Sequence, residues 1–238
     1  MILIFVSECF SQSFLEQQLK YSRVKTAQSD KIQKIDSLLK SAGLNKNEFY
    51  LFLQAIKENG ELTVFAKNKN ESVYQELIKY RICSKSGILG PKSSQGDKQV
   101  PEGVYFINRF NPTSNFYLSL GINYPNTADL KRIGHANPGG DIFIHGSCVT
   151  IGCLPMTDEF IKEIYLLAVL AKNNGQNKIP VFIFPFEMSA NNLRYYSKKH
   201  PGNKLFWENL SMIYQSIIKY KKLPVVQYGK SGEYIIEN

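Results

Sequence analysis

Residues 139–158, which read GGDIFIHGSCVTIGCLPMTD, are the most informative stretch of the 238-residue chain. The apolar run at 142–144 follows two glycines and predicts a short buried strand that delivers His145 at its end. Cys153 follows a glycine and lies just before Thr157, which can cap a helix with acidic residues in its first turn. The pattern therefore predicts a histidine at a strand end and a cysteine close to a helix start.

This arrangement suits nucleophilic catalysis by a thiol. An imidazole within reach of Cys153 could take the thiol proton and later return it to a leaving amine, which makes His145 the candidate base. Backbone N–H groups and the helix N-terminus favour negative charge, so we expect them to lower the thiol pKa from about 8.5. Gly152 would let a substrate approach the backbone, and the Cys153 N–H could stabilise an oxyanion.

The cysteine count leaves two alternatives open. Cys9 would be lost with a signal segment, and the three remaining cysteines of an exported chain then include at least one free thiol. Cys148 and Cys153 with His145 could hold zinc, although zinc sites more often use closer cysteine pairs and a second pair elsewhere. A Cys148–Cys153 disulfide would instead abolish the nucleophile. We interpret Cys83, in an alternating apolar segment, as a small buried hydrophobic residue.

Composition places the chain among globular proteins. Apolar residues make up 43% of the chain and aromatic residues 13%, which is enough for one sizeable core. The net charge of +9 suits an acidic partner, such as nucleic acid, anionic lipid or an acidic cell-wall polymer. Because the basic residues are scattered as singles and pairs, without an arginine-rich stripe, we expect no nucleic-acid partner.

The first eleven residues resemble the end of a secretory signal. The apolar run MILIFV precedes small residues near Ser11, although a basic leading region is missing. The alternative for this run is a buried strand. Since no later stretch approaches the ~20 apolar residues of a membrane span, we expect an exported protein of the periplasm or cell envelope that has no transmembrane span after the signal.

The remaining pattern predicts an α+β fold rich in strands, with helices at both ends. Asn59-Gly60 between two apolar runs predicts a hairpin with a tight type I′ turn, and the many glycines and prolines of 87–103 predict a long functional loop. Further predicted elements are strands at 49–57, 62–67, 73–84 and 179–186, a helix at 205–219 and a closing hairpin at 224–236. We divide the chain into a possible signal peptide (1–11), an N-terminal helical segment (12–47), a catalytic domain (48–188) and a C-terminal helix and hairpin extension packed on it (189–238).

The central motifs resemble a known family. His145-Gly146 followed by Thr150-Ile151-Gly152-Cys153 is similar to the His-Gly and Ser/Thr-x-Gly-Cys signature of the L,D-transpeptidase catalytic domain. Other stretches resemble the periplasmic murein L,D-transpeptidase branch of that family: YRIC (80–83), SGILGPK (86–92), GD (96–97), PEGVY (101–105), YPN (124–126) and PFEM (185–188). The resemblance runs in order from about residue 49 to 187.

The resemblance implies a β-rich catalytic domain of mixed sandwich or barrel type, which uses no metal or organic cofactor. Cys153 would attack the carbonyl at the L-centre of meso-diaminopimelate in peptidoglycan stem peptides, with His145 as base. The Gly146 carbonyl would orient the imidazole, and the amides of Gly152 and Cys153 would face the oxyanion. The acyl group would pass to an amine or to water, and in this branch known members detach a lipoprotein from peptidoglycan, so a wall-linked lipoprotein is a possible partner.

Two departures from the family pattern bear on substrate binding. The family commonly has an arginine two residues after the cysteine, where this chain has Pro155, and its His-to-Cys spacing is usually longer. Because that arginine is a natural carboxylate partner, we hypothesise that Lys92 or Arg132 supplies the cation instead. We also place three further residues at the substrate cleft: Tyr124, His135 and Thr150. We interpret Asp97, Glu102 and Asp141 as structural residues.

The sequence is compatible with three classes of function. The first is an envelope cysteine enzyme that transfers or hydrolyses at the diaminopimelate position. The second is a wall-binding module whose thiol is idle, which the presence of both Cys153 and His145 in one coherent motif argues against. The third is a basic nucleic-acid binder, which rests on charge alone.

Overall fold

The computed structural model describes residues 12–237, so the predicted signal segment with Cys9 lies outside the described residues. The helices are α1 (Phe14–Gln18), α2 (Ser22–Ser41), α3 (Thr127–Ile133), α4 (Asp158–Asn173), α5 (Ala190–Lys199) and α6 (Lys204–Tyr220), with a 3₁₀ turn at Pro201–Asn203. The strands are β1 (Phe49–Ile56), β2 (Glu61–Asn68), β3 (Gln75–Arg81), β4 (Gly103–Asn111), β5 (Ser119–Ile122), β6 (Phe143–His145), β7 (Leu154–Pro155), β8 (Pro180–Phe184), β9 (Val225–Tyr228) and β10 (Tyr234–Glu237).

Eight strands form one sheet in the order β3-β2-β1-β8-β4-β5-β6-β7, while β9 and β10 form a separate hairpin. The pairs β1–β8 and β6–β7 are parallel, and the other neighbours in this sheet are antiparallel. The two edges approach each other just after β3, where the Cys83 N–H donates to the Pro155 carbonyl at 3.0 Å. The sheet therefore curls into an almost closed barrel, and the predicted α+β, β-rich fold class with flanking helices is confirmed.

Side chains of the central strands alternate between the two faces of the sheet and pack into two separate hydrophobic cores. Leu51 and Leu53 of β1 belong to a core shared with α2 and α4, whereas Phe52 belongs to a core shared with α6. In β8 the same alternation sends Val181 to the first core and Phe182 to the second. Because successive strand residues point to opposite faces, this pattern requires helices on both sides of the sheet.

The N-terminal helices are fixed to the first face by charge as well as by packing. Glu163 of α4 is almost completely buried and accepts bonds from Lys34 at 2.8 Å and the Tyr80 hydroxyl at 3.0 Å. Arg23 of α2 donates to the carbonyls of Ser114 and Tyr117, the latter at 2.6 Å. Helix α2 therefore makes polar contacts with both helix α4 and the loop that leads into β5.

Several predicted elements differ in detail from the structure. The hairpin between β1 and β2 exists, but its loop spans the four residues 57–60, and of these only Gly60 has a positive φ, 66°. A type I′ turn needs positive φ at both central residues, so the predicted turn type is wrong. The predicted strand 73–84 is shorter, as β3, and 87–103 contains neither helix nor strand before β4.

Helices α3 and α5 are absent from the sequence prediction. Both begin at a residue whose side chain accepts a backbone N–H: Asn126 caps α3 in a reciprocal pair with Asp129, and Ser189 caps α5. Neither helix carries a long apolar stripe, which explains why periodicity did not reveal them. The predicted C-terminal helix and hairpin are present as α6 and β9–β10.

Candidate active site

Strands β6 and β7 bring the histidine and the cysteine together. They pair in parallel, with Ile144 opposite Leu154 and His145 opposite Pro155. Cys153, one residue before β7, therefore lies beside Phe143. Because strand side chains alternate between faces, the side chains of Phe143, His145 and Cys153 project to the same side, and all three line one cavity.

The imidazole of His145 is held in one orientation. Its Nδ1 lies 2.5 Å from the Gly146 carbonyl oxygen, which can only accept, so Nδ1 carries the proton and Nε2 keeps its lone pair. The ring is 2% exposed and packs against Phe116, with 4.7 Å between the ring centroids. Burial lowers the pKa of His145 below its ordinary 6.5, and the bond to Gly146 only partly opposes this. The His145 imidazole is thus neutral at neutral pH.

Gly146 must be a glycine for steric reasons. A Cβ there would lie 2.6 Å from Asp158 Oδ1 and 2.9 Å from the Phe116 carbonyl oxygen, both closer than ordinary contact. The Gly146 N–H also donates to the Leu118 carbonyl at 3.1 Å. Gly146, whose carbonyl orients His145, is therefore confined between the segment that leads into β5 and the first turn of α4.

The Cys153 thiol differs from the expected activated thiolate. Burial raises its pKa above the ordinary 9.0; a hydrogen bond from the Phe143 backbone opposes this, the Asp141 carboxylate adds to it, and Lys92 weakly opposes it. Helix α4 begins at Asp158, after β7, and none of the groups that shift the thiol pKa belongs to this helix. The expected lowering of the thiol pKa is wrong, and the resting pair is a neutral thiol with a neutral imidazole.

Thr150 organises the turn that carries Cys153. Its Oγ1 accepts from the N–H groups of Gly152 at 3.2 Å and Cys153 at 2.8 Å, and it donates to the Cys153 carbonyl at 2.9 Å. Both amides expected to face an oxyanion thus point at the threonine hydroxyl in this structure. Their role in oxyanion binding stays a prediction, and it requires that hydroxyl to give way.

The disulfide in the described chain joins Cys83 to Cys148, and Cys153 is free. The expectation of at least one free thiol is confirmed. The interpretation of Cys83 as a small buried hydrophobic residue is wrong, because the curled sheet brings it to Cys148 across 65 residues of sequence, with 5.5 Å between the Cα atoms. The same bond removes Cys148 from both alternatives, the zinc site and the Cys148–Cys153 disulfide.

Two cavities meet at Cys153. The larger, of about 620 Å³, is lined by Cys153 and His145, by apolar side chains and by the pair Arg109 and Asp141. The smaller, of about 100 Å³, is also lined by Cys153, together with parts of the 87–103 loop and with Lys57 and Lys85.

The residues predicted to bind substrate fall in several places. Thr150 lines the larger cavity, but neither cavity at Cys153 is lined by the other four. Lys92 is buried and paired with Asp97 at 2.6 Å, and the Tyr124 hydroxyl donates to the Lys92 carbonyl at 3.3 Å. Arg132 pairs with Asp129 and lies over the Phe206 ring at 4.3 Å, and His135 is exposed after α3. Their roles as substrate-binding residues stay predictions.

Arg109 is the cavity cation that the sequence did not reveal. It lies in β4 and lines the larger cavity beside His145 and Cys153. Its position depends on a register shift between Ile107 and Arg109, which leaves no trace in residue type or spacing. A β-bulge of this kind cannot be read from one sequence.

Residues 12–237 contain no candidate metal-binding cluster and no candidate membrane span. No three His, Cys, Asp or Glu side chains of this part gather in a way that could hold a metal ion. None of its helices combines the length and apolarity needed to cross a membrane.

Comparisons with known proteins agree with the motifs. A family model described as the L,D-transpeptidase catalytic domain (YkuD) matches residues 55–183. The Escherichia coli K12 protein named "Putative L,D-transpeptidase YafK" is 36% identical over 188 residues, which cover 78% of this chain and 73% of that protein.

Among solved structures, the helical cell shape determining protein Pgp2 from Campylobacter jejuni matches with a TM-score of 0.46 at 17% identity, covering 82% of this chain and 80% of that one. Bd1075 from Bdellovibrio bacteriovorus matches with a TM-score of 0.41 at 23% identity, covering 74% and 63%. The family model spans more than half of the chain, and the sequence relative is matched over most of its length. The chain therefore belongs to the L,D-transpeptidase catalytic-domain family.

Proposed function

We propose that this protein is a cell-envelope cysteine enzyme that acts on peptidoglycan stem peptides by acyl transfer at the L-centre of meso-diaminopimelate. The observation that carries the proposal is the free thiol of Cys153 on the same face as His145, whose Nδ1 is tied to the Gly146 carbonyl at 2.5 Å. This leaves Nε2 to exchange a proton in a cavity large enough for a peptide.

In the first half-reaction the Cys153 sulfur attacks the carbonyl carbon while Nε2 of His145 takes the thiol proton. The carbonyl oxygen becomes an oxyanion. The amides of Gly152 and Cys153 bind this oxyanion after they break their hydrogen bonds to the Thr150 hydroxyl. The C–N bond to the terminal D-Ala then breaks, and the imidazolium returns its proton to the leaving amine. The products are free D-Ala and a thioester on Cys153.

In the second half-reaction an amine or a water molecule attacks the thioester. His145 takes a proton from this nucleophile, the C–S bond breaks, and the thiol regains its proton. An amine from another stem peptide gives a cross-link, whereas water gives a shortened peptide. If the leaving amine were a lysine of a wall-linked lipoprotein, hydrolysis of the same thioester would release that lipoprotein.

The proposed envelope location is supported by the disulfide and the charge. A Cys83–Cys148 bond is typical of oxidising compartments such as the bacterial periplasm. A net charge of +9 suits an acidic wall polymer. Both observations support export.

The test is to incubate the protein with defined muropeptides in H₂¹⁸O and follow the products by mass spectrometry, with Cys153→Ser as the matched variant. Cross-linked products without ¹⁸O indicate transfer to an amine, and one ¹⁸O in the new carboxylate indicates hydrolysis. A lipoprotein-linked muropeptide as a third substrate tests release. Thiol-dependent product from any of these supports the proposal. If the wild-type protein bound muropeptides but neither it nor the variant formed product, the protein would be a non-catalytic wall-binding module and the proposed enzymatic function would be wrong.

A further inference from the structure

An ion pair lies at the rim of the larger cavity. Arg109 Nη1 is 3.3 Å from Asp141 Oδ1, and the two side chains are 58% and 78% exposed. Both residues line the cavity together with His145 and Cys153. An exposed pair of this kind contributes little to stability, so its position beside the thiol calls for another explanation.

A local irregularity of the sheet turns Arg109 toward this cavity. Ile107 lies opposite Ile122, but Arg109 already lies opposite Gly121, so β4 contains one residue more than its partner strand. Ile107 is buried, and without the extra residue alternation would send Arg109 to that buried face. Such bulges commonly redirect a side chain next to an active site.

Gly121 leaves the space that this orientation needs. A Cβ at Gly121 would lie 3.1 Å from Arg109 Cβ and 3.1 Å from the Phe143 ring, so that one of these neighbours would have to shift by a few tenths of an ångström. The Arg109 guanidinium in turn lies over the Phe143 ring, 5.5 Å from its centroid, an arrangement that favours a cation. The glycine and the ring together orient the guanidinium.

Asp141 connects the pair to the nucleophile. Its carbonyl lies 3.7 Å from Cys153 Sγ, and its backbone has a positive φ of 54°, which is uncommon for a residue other than glycine. The backbone conformation places the carbonyl at the sulfur and the carboxylate at the cavity rim. In the described chain the carboxylate has one hydrogen bond, from Arg109, so both groups keep capacity for a ligand.

We propose that Arg109 and Asp141 bind an amino-acid head group that carries both a free carboxylate and a free ammonium, with the guanidinium on the carboxylate and the aspartate on the ammonium. This inference rests on the proposed function, in which the D-centre of diaminopimelate is such a head group. The pair would hold the D-centre while the L-centre carbonyl of the same residue meets Cys153. It would also supply the cation that Pro155 cannot.

The test compares three peptide substrates: one with an unmodified D-centre, one with its carboxylate amidated and one with its amine acetylated. For the wild-type protein we expect each modification to raise KM about tenfold, with kcat changed less than about threefold, because a charge-assisted contact is lost. Arg109→Gln should raise KM about tenfold for the unmodified peptide and remove the discrimination against the amidated one. Asp141→Asn should likewise raise KM about tenfold for the unmodified peptide, and it should remove the discrimination against the acetylated one.

Two controls separate this inference from the proposed function. Lys79→Gln removes another exposed ion pair, with Glu61 at 3.6 Å on β2, and should leave KM unchanged. Binding of the same peptides to Cys153→Ala by calorimetry reports recognition without turnover.

Selective loss of affinity in the Arg109 variant on that background supports the inference even if no turnover is found, in which case only the proposed function fails. If wild-type turnover is normal and Arg109→Gln neither raises KM nor loses discrimination, the inference is wrong and the proposed function stands.

Discussion

At the scale of single residues, the neutral thiol and neutral imidazole determine the response to pH. His145 must be unprotonated to accept the proton, and its pKa is lowered, so activity should fall only below pH 6.5 as the imidazole becomes charged. The thiol pKa is raised above 9.0, so thiolate should form only above that pH. We therefore expect kcat/KM to be flat from about pH 7 to 9.

Thiolate absorbance at 240 nm provides an independent measurement of the resting state. Subtracting the Cys153→Ser spectrum isolates the signal of this one thiol. We expect no thiolate signal at pH 7 and a rise above pH 9. Thiolate absorbance at pH 7, together with activity that declines above pH 7 to 8, would indicate a thiolate–imidazolium pair and contradict the neutral pair.

Thr150 offers a second test at this scale. Thr150→Val keeps the shape of the side chain but removes the acceptor for two amides and the donor to the Cys153 carbonyl. We expect kcat to fall at least tenfold and the free energy of unfolding to fall by about 1–3 kcal/mol. Thr150→Ser is the matched control, because it keeps the hydroxyl, and it should retain most of the wild-type kcat and most of the free energy of unfolding. Equal activity in the two variants would show that the hydroxyl does not organise the turn.

The residues that the sequence revealed are those whose chemistry is local. His145, Gly146 and Cys153 lie within nine residues, so their motif alone brought attention to a site that the pairing of β6 with β7 then explains. Arg109 and the Cys83–Cys148 bond depend on a bulge and on a contact across 65 residues. Neither kind of information is present in residue type or spacing.

At the scale of elements, the disulfide joins the loop before Cys153 to the end of β3. Because it closes a loop of 65 residues, the chain-entropy model gives a stabilisation of about 4 kcal/mol. We expect a Cys83→Ser, Cys148→Ser double variant to lose an amount of this order in urea unfolding. Both proteins should carry Cys153→Ser, so that no thiol can exchange with the bond.

Reductant is the control for this prediction. It should shift the unfolding midpoint of the parent protein and leave that of the double variant unchanged. Peptide mapping should recover Cys83 and Cys148 as one linked pair. A linked pair that contained Cys153, or an unfolding curve indifferent to reductant, would contradict the assignment.

Elements were predictable where apolar periodicity was strong. The central hairpin, α4, α6 and the closing hairpin all follow from it. Helices α3 and α5 depend on capping side chains, and the type of the 57–60 loop depends on one backbone angle at Gly60. The caps are local hydrogen bonds between residues three apart, and apolar periodicity encodes neither such bonds nor a single backbone angle.

At the scale of the whole molecule, the C-terminal extension is tied to the loop beside the active site. Trp207 Nε1 donates to buried Glu102 Oε2 at 2.8 Å, and the other carboxylate oxygen accepts from Lys57 at 2.8 Å and from the Gly90 N–H at 2.7 Å. The smaller cavity at Cys153 is lined by residues of this loop. The extension is therefore bonded to the loop that lines the smaller cavity at Cys153.

Removal of this tie should be measurable. Trp207→Phe leaves Glu102 Oε2 without its partner, and we expect the free energy of unfolding to fall by about 1–3 kcal/mol. Circular dichroism is the suitable probe, because Trp207 is the only tryptophan of the chain. A double-mutant cycle with Glu102→Gln isolates the pair. Additive losses in that cycle would show that the two side chains are not coupled.

Thioester formation between Cys153 and a stem peptide is tested most directly by intact mass spectrometry of the acid-quenched reaction. With a tetrapeptide muropeptide we predict a mass gain equal to the muropeptide minus D-Ala, located on the Cys153 peptide. Cys153→Ser should show no such adduct under the same conditions. Turnover of the muropeptide without any adduct on Cys153, or with the same adduct on another residue, would contradict the account.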